Sequence, residues 1–514
     1  MALVRRLPGS VAALALVALT GCASTIQVQE PTSGVVPPAA VGGDGLSLTP
    51  APDDQSSGQP AQAGTSPTMP ASRPSSLHSS PRSGGSSSPS RSSRPSASMS
   101  TSAIPAAGPG WDAKHVYLGI TTASDAAGTI HALGISLDPG DEIADAKAIV
   151  AAMNRQGGLF GRQVVLIVKD DSSAHVLSDP AGAAQADCVF FTQDHRVISV
   201  VNTDATIDLD SFRSCFARAH VPLVSTTTAP FDDTTQRSFA PYFYNTLSVS
   251  LTRLIPVLID RLTAQHYFGG WNSLAGKPGT NPVKVGVLFP TGPTGGRIGA
   301  ALLGALKQAG IASDHYEYSS ATDTAAASAA VFRFKADHVT HVIGVDTFQY
   351  FFGVAANTQG FYPRYGVTTY SAPETLLRAN GPPRQMAGAM GLGWIPSIDT
   401  DAQRDPGPGP GTKQCLAELA AGAQHFAGHR FAEAVGLAIC DGLQLGVRGA
   451  KSGNGLDPAS IRSGIVALGR KYPMAAGFVS GLSETNFALP GGGRDLAWNP
   501  GCRCFAYHGS TFPI

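Results

Sequence analysis

From residue 115 onward, short runs of β-branched and aliphatic residues alternate with longer amphipathic stretches. No other feature restricts the fold as much. Extended runs fall at 115–120, 163–169, 196–201, 221–224, 283–289, 341–345 and 365–370. Between them the spacing predicts helices over 141–155, 209–219, 251–264, 297–309 and 325–334. A strand that returns to its sheet through a helix lies parallel to its predecessor, so the pattern points to α/β architecture. Two such sets imply two doubly wound lobes. Helices predicted at 413–426, 431–447 and 458–468 have few strands between them and are expected to pack back on the first lobe.

Composition sets where this pattern can begin. Ser, Pro, Gly, Ala and Thr dominate 23–112, with few aromatic residues and no aliphatic periodicity, so the stretch cannot bury enough surface to offset the entropy of ordering. It reads as a disordered tether. The folded part is then 113–514. Lys plus Arg and Asp plus Glu are equal at 36 each, which leaves no basic field to gather phosphates, and nucleic acid is not expected as a partner.

Arg5 and Arg6 precede an apolar run at 11–19 that is too short to span a bilayer but long enough for an export signal. The run ends in Leu19-Thr20-Gly21-Cys22, which resembles a bacterial lipobox. That resemblance implies a signal peptide over 1–22, a diacylglycerol on the Cys22 sulfur, and a protein lipid-anchored on the outer face of the cell membrane. Six of the seven cysteines then remain, an even number for an oxidising compartment. Six allow fifteen pairings. The local pairs Cys188 with Cys215, Cys415 with Cys440, and Cys502 with Cys504 are favoured. No CxxC spacing or nearby histidine argues for zinc, and no metal or cofactor is expected.

Catalytic motifs are absent. There is no Gly-x-Ser-x-Gly elbow, and His425 and His429, four apart, lack the intervening glutamate of a zinc hydrolase. Gly292-Pro293-Thr294-Gly295-Gly296-Arg297-Ile298-Gly299 follows a strand and opens a helix, but it lacks the Lys and Ser or Thr of a phosphate loop. It reads as a turn lining a cleft. An enzyme is therefore not expected.

Asn154-Arg155-Gln156-Gly157-Gly158-Leu159-Phe160-Gly161-Arg162, followed by an aliphatic strand and Asp170-Asp171, resembles the type I periplasmic binding proteins of branched-chain amino acid ABC transporters. Residues 219–227, with their Ser/Thr-rich end, resemble that family's ligand loop, and Pro241-Tyr242-Phe243-Tyr244-Asn245 its first crossing between lobes. Gly360-Phe361-Tyr362-Pro363-Arg364-Tyr365 is similar to the helix-to-strand turn of its second lobe. The likeness covers about 115–514. It implies a hinged pair of lobes, with lobe 1 about 113–244 and 376–475 and lobe 2 about 245–375 and 476–514. It also implies a small-molecule ligand between the lobes, an amino acid or similar polar solute, and an ABC permease as partner. A ligand-sensing or surface interaction lipoprotein on the same fold is one alternative, and an exported enzyme the other.

Ligands of doubly wound sheets sit at the carboxyl ends of the strands. Thr121, Thr122, Asn202, Thr203, Ser225, Thr226 and Thr227 are therefore expected to form lobe 1's polar wall, and Thr294, Asp346, Thr347 and Glu374 to face them from lobe 2. For a zwitterion, Ser225 and Thr226 would hold the carboxylate and Glu374 or Asp346 the ammonium. One departure stands out: the family often has an aromatic and an acidic residue where this chain has glycine-rich 292–299.

Overall fold

The computed structural model describes residues 104–514. The export signal, Cys22 and most of the tether fall outside that range. Within it, 104–112 belongs to the folded part and not to the tether. Trp111 is buried and its indole N–H donates to the Pro105 carbonyl (3.1 Å), while Arg162 donates to the Asp112 and Pro105 carbonyls. One large aromatic residue supplies the apolar area that the preceding Ser/Pro sequence lacks.

Lobe 1 is built on five parallel strands, β1 (His115–Thr122), β2 (Gln163–Asp170), β3 (Val200–Asn202), β4 (Leu223–Ser225) and β5 (Phe243–Asn245), in the order β2-β1-β3-β4-β5. Val116, Leu118, Ile120, Val200 and Val201 are fully buried, as expected for strands covered on both faces. The turn into β2 needs glycine: at Gly158 φ is +66°, and a Cβ there would run into the Arg162 carbonyl.

After a short hairpin, β6 (Trp271–Asn272) with β7 (Lys277–Pro278), the chain builds lobe 2. Its sheet holds β8 (Lys284–Pro290), β9 (Ala312–Tyr318), β10 (His341–Gly344), β11 (Arg364–Thr368), β12 (Met390–Gly393), β13 (Gly492–Asn499) and β14 (Cys504–Pro513), in the order β14-β13-β12-β11-β10-β8-β9. The strands β8 to β12 are parallel, and β13 and β14 close one side as an antiparallel hairpin. Because β12 pairs with β11, lobe 2 extends to Gly393, and the return to lobe 1 comes after that residue and not near 376. The helices Pro410–Ala420, Arg430–Gly453 and Pro458–Leu468 then follow, the first two packing on the lobe 1 helix Glu142–Arg155.

Three segments join the lobes. The first leaves β5 at Asn245, and the last runs beside it: Asn245 N–H donates to the Phe487 carbonyl (3.2 Å) and Leu489 N–H to the Asn245 carbonyl (2.7 Å). Trp394, on the middle segment, donates its indole N–H to the Leu247 carbonyl at 2.6 Å. All three expected disulfides form, with Cα separations of 6.3 Å (Cys188–Cys215), 6.1 Å (Cys415–Cys440) and 5.2 Å (Cys502–Cys504).

Candidate functional site

A cavity of about 400 Å³ lies between the lobes, within the usual size range of small-molecule sites. Loops from the carboxyl ends of both sheets line it. Lobe 1 contributes Ala123 after β1, Ser173 after β2, Thr203 to Thr206 after β3 and Thr226 to Thr228 after β4; lobe 2 contributes Thr322, Thr347, Phe351 and Leu376. The helix Ala126–Ala132 and the strap that follows add Ile130, Leu133, Ile135 and Leu137, and Val176, Leu177 and Ile398 complete a largely apolar surface. The strap is bounded by Gly134 and Gly140, both at positive φ, and reaches lobe 2 where Asn380 donates to Ser136 Oγ at 2.8 Å.

Four of the residues expected from sequence, Thr203, Thr226, Thr227 and Thr347, line this cavity. Four more lie just beneath lobe 1's wall and hold it in place. Thr121 donates to Asp187, Thr122 to Glu142, and Ser225 to Asp208 at 2.7 Å, while Asn202 is buried and exchanges hydrogen bonds with Asp204. The remaining three are placed elsewhere. Thr294 accepts from Arg297, which is paired with Asp232. Asp346 is buried and accepts from Phe348 N–H at 2.8 Å, and burial pushes its carboxyl up. Glu374 accepts from Arg378 (2.7 Å) and from Phe505 N–H (2.7 Å).

The wall is anchored by one buried ion pair. Arg213 Nε donates to Asp208 Oδ1 at 2.7 Å, and Asp208 Oδ2 accepts from both Ser225 and Thr227. Fully paired in this way, a buried carboxylate positions hydroxyls firmly. Arg213 follows Asp208 by five residues at the start of the helix Asp210–Ala219, a spacing that sequence reading overlooked.

Sequence reading also passed over the two acids at the cavity. Glu142 sits in the first turn of Glu142–Arg155, and its Oε2 accepts from both Thr122 and Thr203. Burial, with the charges of Asp204 and Asp170 adding to it, raises its pKa. Burial raises that of Asp204 as well. The available signal was an acid one position after an N-cap: Asp141 accepts from Ala144 N–H at 2.9 Å, and Glu142 follows it. Acids there are commonly explained by the helix dipole alone.

A second cavity, of about 460 Å³, lies among the crossing segments. Three of its charges are paired, Arg430 with Asp405 (2.6 Å) and with Glu433 (3.0 Å), and Arg494 donates to the Gly509 carbonyl. Of the parallel strands only β12 ends near it, leading into Pro396, whereas the interlobe cavity gathers strand ends from both sheets. The interlobe cavity is the better site on both counts. Among the described residues, Cys415, Glu418 and Cys440 form a group of metal-ligand type, but the two sulfurs are joined to each other.

No family model matches the sequence, and no curated protein is similar to it. Solved structures do resemble its fold. An ABC transporter substrate-binding protein from Desulfitobacterium hafniense, solved with Leu, is 15% identical, with 77% of this chain and all of that one covered and a TM-score of 0.51. A fatty acid ABC transporter substrate-binding protein from Thermomonospora curvata is 12% identical over 80% of this chain and 94% of its own, TM-score 0.53. The solute-binding protein of an ABC transporter from Rhodopseudomonas palustris HaA2, solved with p-hydroxybenzoic acid, is 14% identical over 78% and 97%, TM-score 0.54. These likenesses carry the architecture and leave the ligand open, and on them the chain has the two-lobe fold of the type I periplasmic binding proteins.

Proposed function

We propose that this chain is an extracytoplasmic solute-binding protein, held to the membrane by a lipid on Cys22, that closes its lobes on a small organic molecule and delivers it to an ABC permease. The cavity between the lobes, at the carboxyl ends of both sheets, carries this reading. Three connecting segments gathered around Asn245 and Trp394 support a hinge, and a ligand touching both lobes would favour the closed form. The similar solved proteins are named as substrate-binding proteins, which supports binding over catalysis.

Native mass spectrometry of the purified full-length protein, with identification of any carried small molecule, tests the binding role. A defined ligand that raises the melting temperature is expected; a chain that carries nothing and is stabilised by no member of a broad solute panel would count against it. The anchor is tested separately. Cys22→Ala should move the protein from the membrane to the soluble extracytoplasmic fraction, and unchanged membrane association would remove the anchor from the reading.

A further inference from the structure

The cavity is chemically one-sided. Its body surface, from Ile130, Leu133, Leu177, Phe351 and Leu376, is hydrocarbon, and its ionisable lining residues are Glu142 and Asp204. No lysine, arginine or histidine lines it among the described residues.

The donors of the three threonines that follow β3 and β4 in the wall are already committed. Thr226 gives both its N–H (2.8 Å) and its hydroxyl (3.0 Å) to the Asn202 carbonyl. Thr203 gives its N–H to the Thr121 carbonyl (3.1 Å) and its hydroxyl to Glu142. Thr227 gives its hydroxyl to Asp208 (3.2 Å) and its N–H to Ser225 Oγ (3.4 Å). An anionic head would lose its hydration here, gain no donor from these residues, and stand beside Glu142. The zwitterion expected from sequence therefore finds acceptors for its ammonium, while Ser225 and Thr226, the donors expected for its carboxylate, are engaged with Asp208 and Asn202 and no basic side chain lines the cavity among the described residues. An alkylammonium needs only acceptors, and its N–H groups would make charge-assisted bonds to Glu142. A quaternary ammonium lacks those N–H groups and would depend on an aromatic cage, whereas Phe351 and Phe431 are the two rings in the lining.

Granting that this cavity is the ligand site, we propose that its ligand is an amphipathic amine without a carboxylate, its hydrocarbon body between the lobes and its protonated nitrogen on Glu142, with Asp204 adding negative potential. The acid that recognises the nitrogen stands on lobe 1 and not, as expected, on lobe 2.

Three probes with one alkyl body separate the head groups: 1-octylamine, 1-octanol and sodium octanoate, titrated calorimetrically into the full chain near neutral pH. Octylamine is expected to bind roughly 10- to 100-fold more tightly than octanol, with octanoate weakest. Glu142→Gln keeps size and an acceptor oxygen; it should erase most of the amine advantage and leave octanol affinity within about twofold. If that variant does not fold, judged by its melting curve, Asp204→Asn is read in its place and should reduce the advantage in the same direction. Octanoate binding as tightly as octylamine, or an amine advantage unchanged in the folded variant, overturns the assignment. Octanol and octylamine binding equally well also overturns it but leaves the cavity as a ligand site. No binding by any probe sinks both.

Discussion

On lobe 1's side of the cleft, Thr203 and Thr227 are fixed from below by the acids Glu142 and Asp208, and Thr226 by the Asn202 carbonyl. Opposite them, Thr347, Phe351 and Leu376 contribute mainly apolar surface. A preorganised wall loses little freedom when a ligand arrives, and an apolar wall gains energy only from area covered as the lobes approach. The contrast assigns the choice of head group to lobe 1 and the dependence on ligand size and closure to lobe 2.

Breaking the anchor of the first wall should have the largest effect. Arg213→Ala leaves Asp208 buried without its cation and is expected to cost about 3–5 kcal/mol of stability by urea denaturation. Thr347→Ala in the opposite wall should change stability by less than about 1 kcal/mol. Equal losses would mean that the walls do not differ in rigidity. Replacing Cys188 and Cys215 together by Ala frees a loop of sequence separation 27 within lobe 1, and roughly 3–4 kcal/mol should be lost on the chain-entropy argument. Oxidised and reduced wild-type protein melting together would contradict this.

Acidity sharpens the contrast further. On the lobe 1 helices, burial pushes Asp145, whose two carboxylate oxygens have no partner, and Asp441 up to about 7. The native state thus holds protons that the unfolded chain releases near pH 4. The stability these groups contribute is fully present in acid and is lost as pH rises through their folded values. Melting temperature should fall between about pH 4 and pH 7, by on the order of 1–3 kcal/mol in stability, and Asp145→Asn should flatten the profile. A profile that rises with pH would reverse the sign.

The smallest effect tests the rim. Leu133 and Leu177 line the cavity yet are 43% and 55% exposed, so replacing either by Ser should leave stability within about 0.5 kcal/mol. Affinity for an alkyl probe should drop by about 1 kcal/mol, read by calorimetry, because each side chain gains cover only from the ligand. Loss of stability without loss of affinity would place these leucines in the core.

The central strands and their helices were legible because burial on both faces leaves a β-branched run. Thus β1, β2, β8 and β10 fall within two residues of expectation, and the helices Leu251–Ala264 and Pro458–Leu468 match it. By contrast, β9 reads Ala-Ser-Asp-His-Tyr-Glu-Tyr, and β12 is Met-Gly-Leu-Gly. Neither has β-branched residues, and both are strands because neighbouring strands offer a ladder. The same limit applied to the site. Strand-end threonines could be located from the alternation, but which hydroxyls face the cavity depends on Asp187, Asp208 and Glu142, partners distant in sequence from some of the groups they hold. Glu374 looked free to meet a ligand because Phe505, whose N–H it accepts, lies 131 positions away.

The hairpin that closes lobe 2 also imposes an order of manufacture. In a chain emerging from the ribosome, β8 to β12 appear first, then the helices from Pro410 to Leu468 that belong to the other lobe, and only then β13 and β14. Until Gly492–Asn499 arrives, β12 has a partner on one side and an open row of backbone donors and acceptors on the other. Such a row invites pairing with any neighbouring strand. A nascent or clipped chain ending before Gly492 would carry both sets of parallel strands and still be liable to aggregate, so the last strands to be synthesised seal the lobe against other chains.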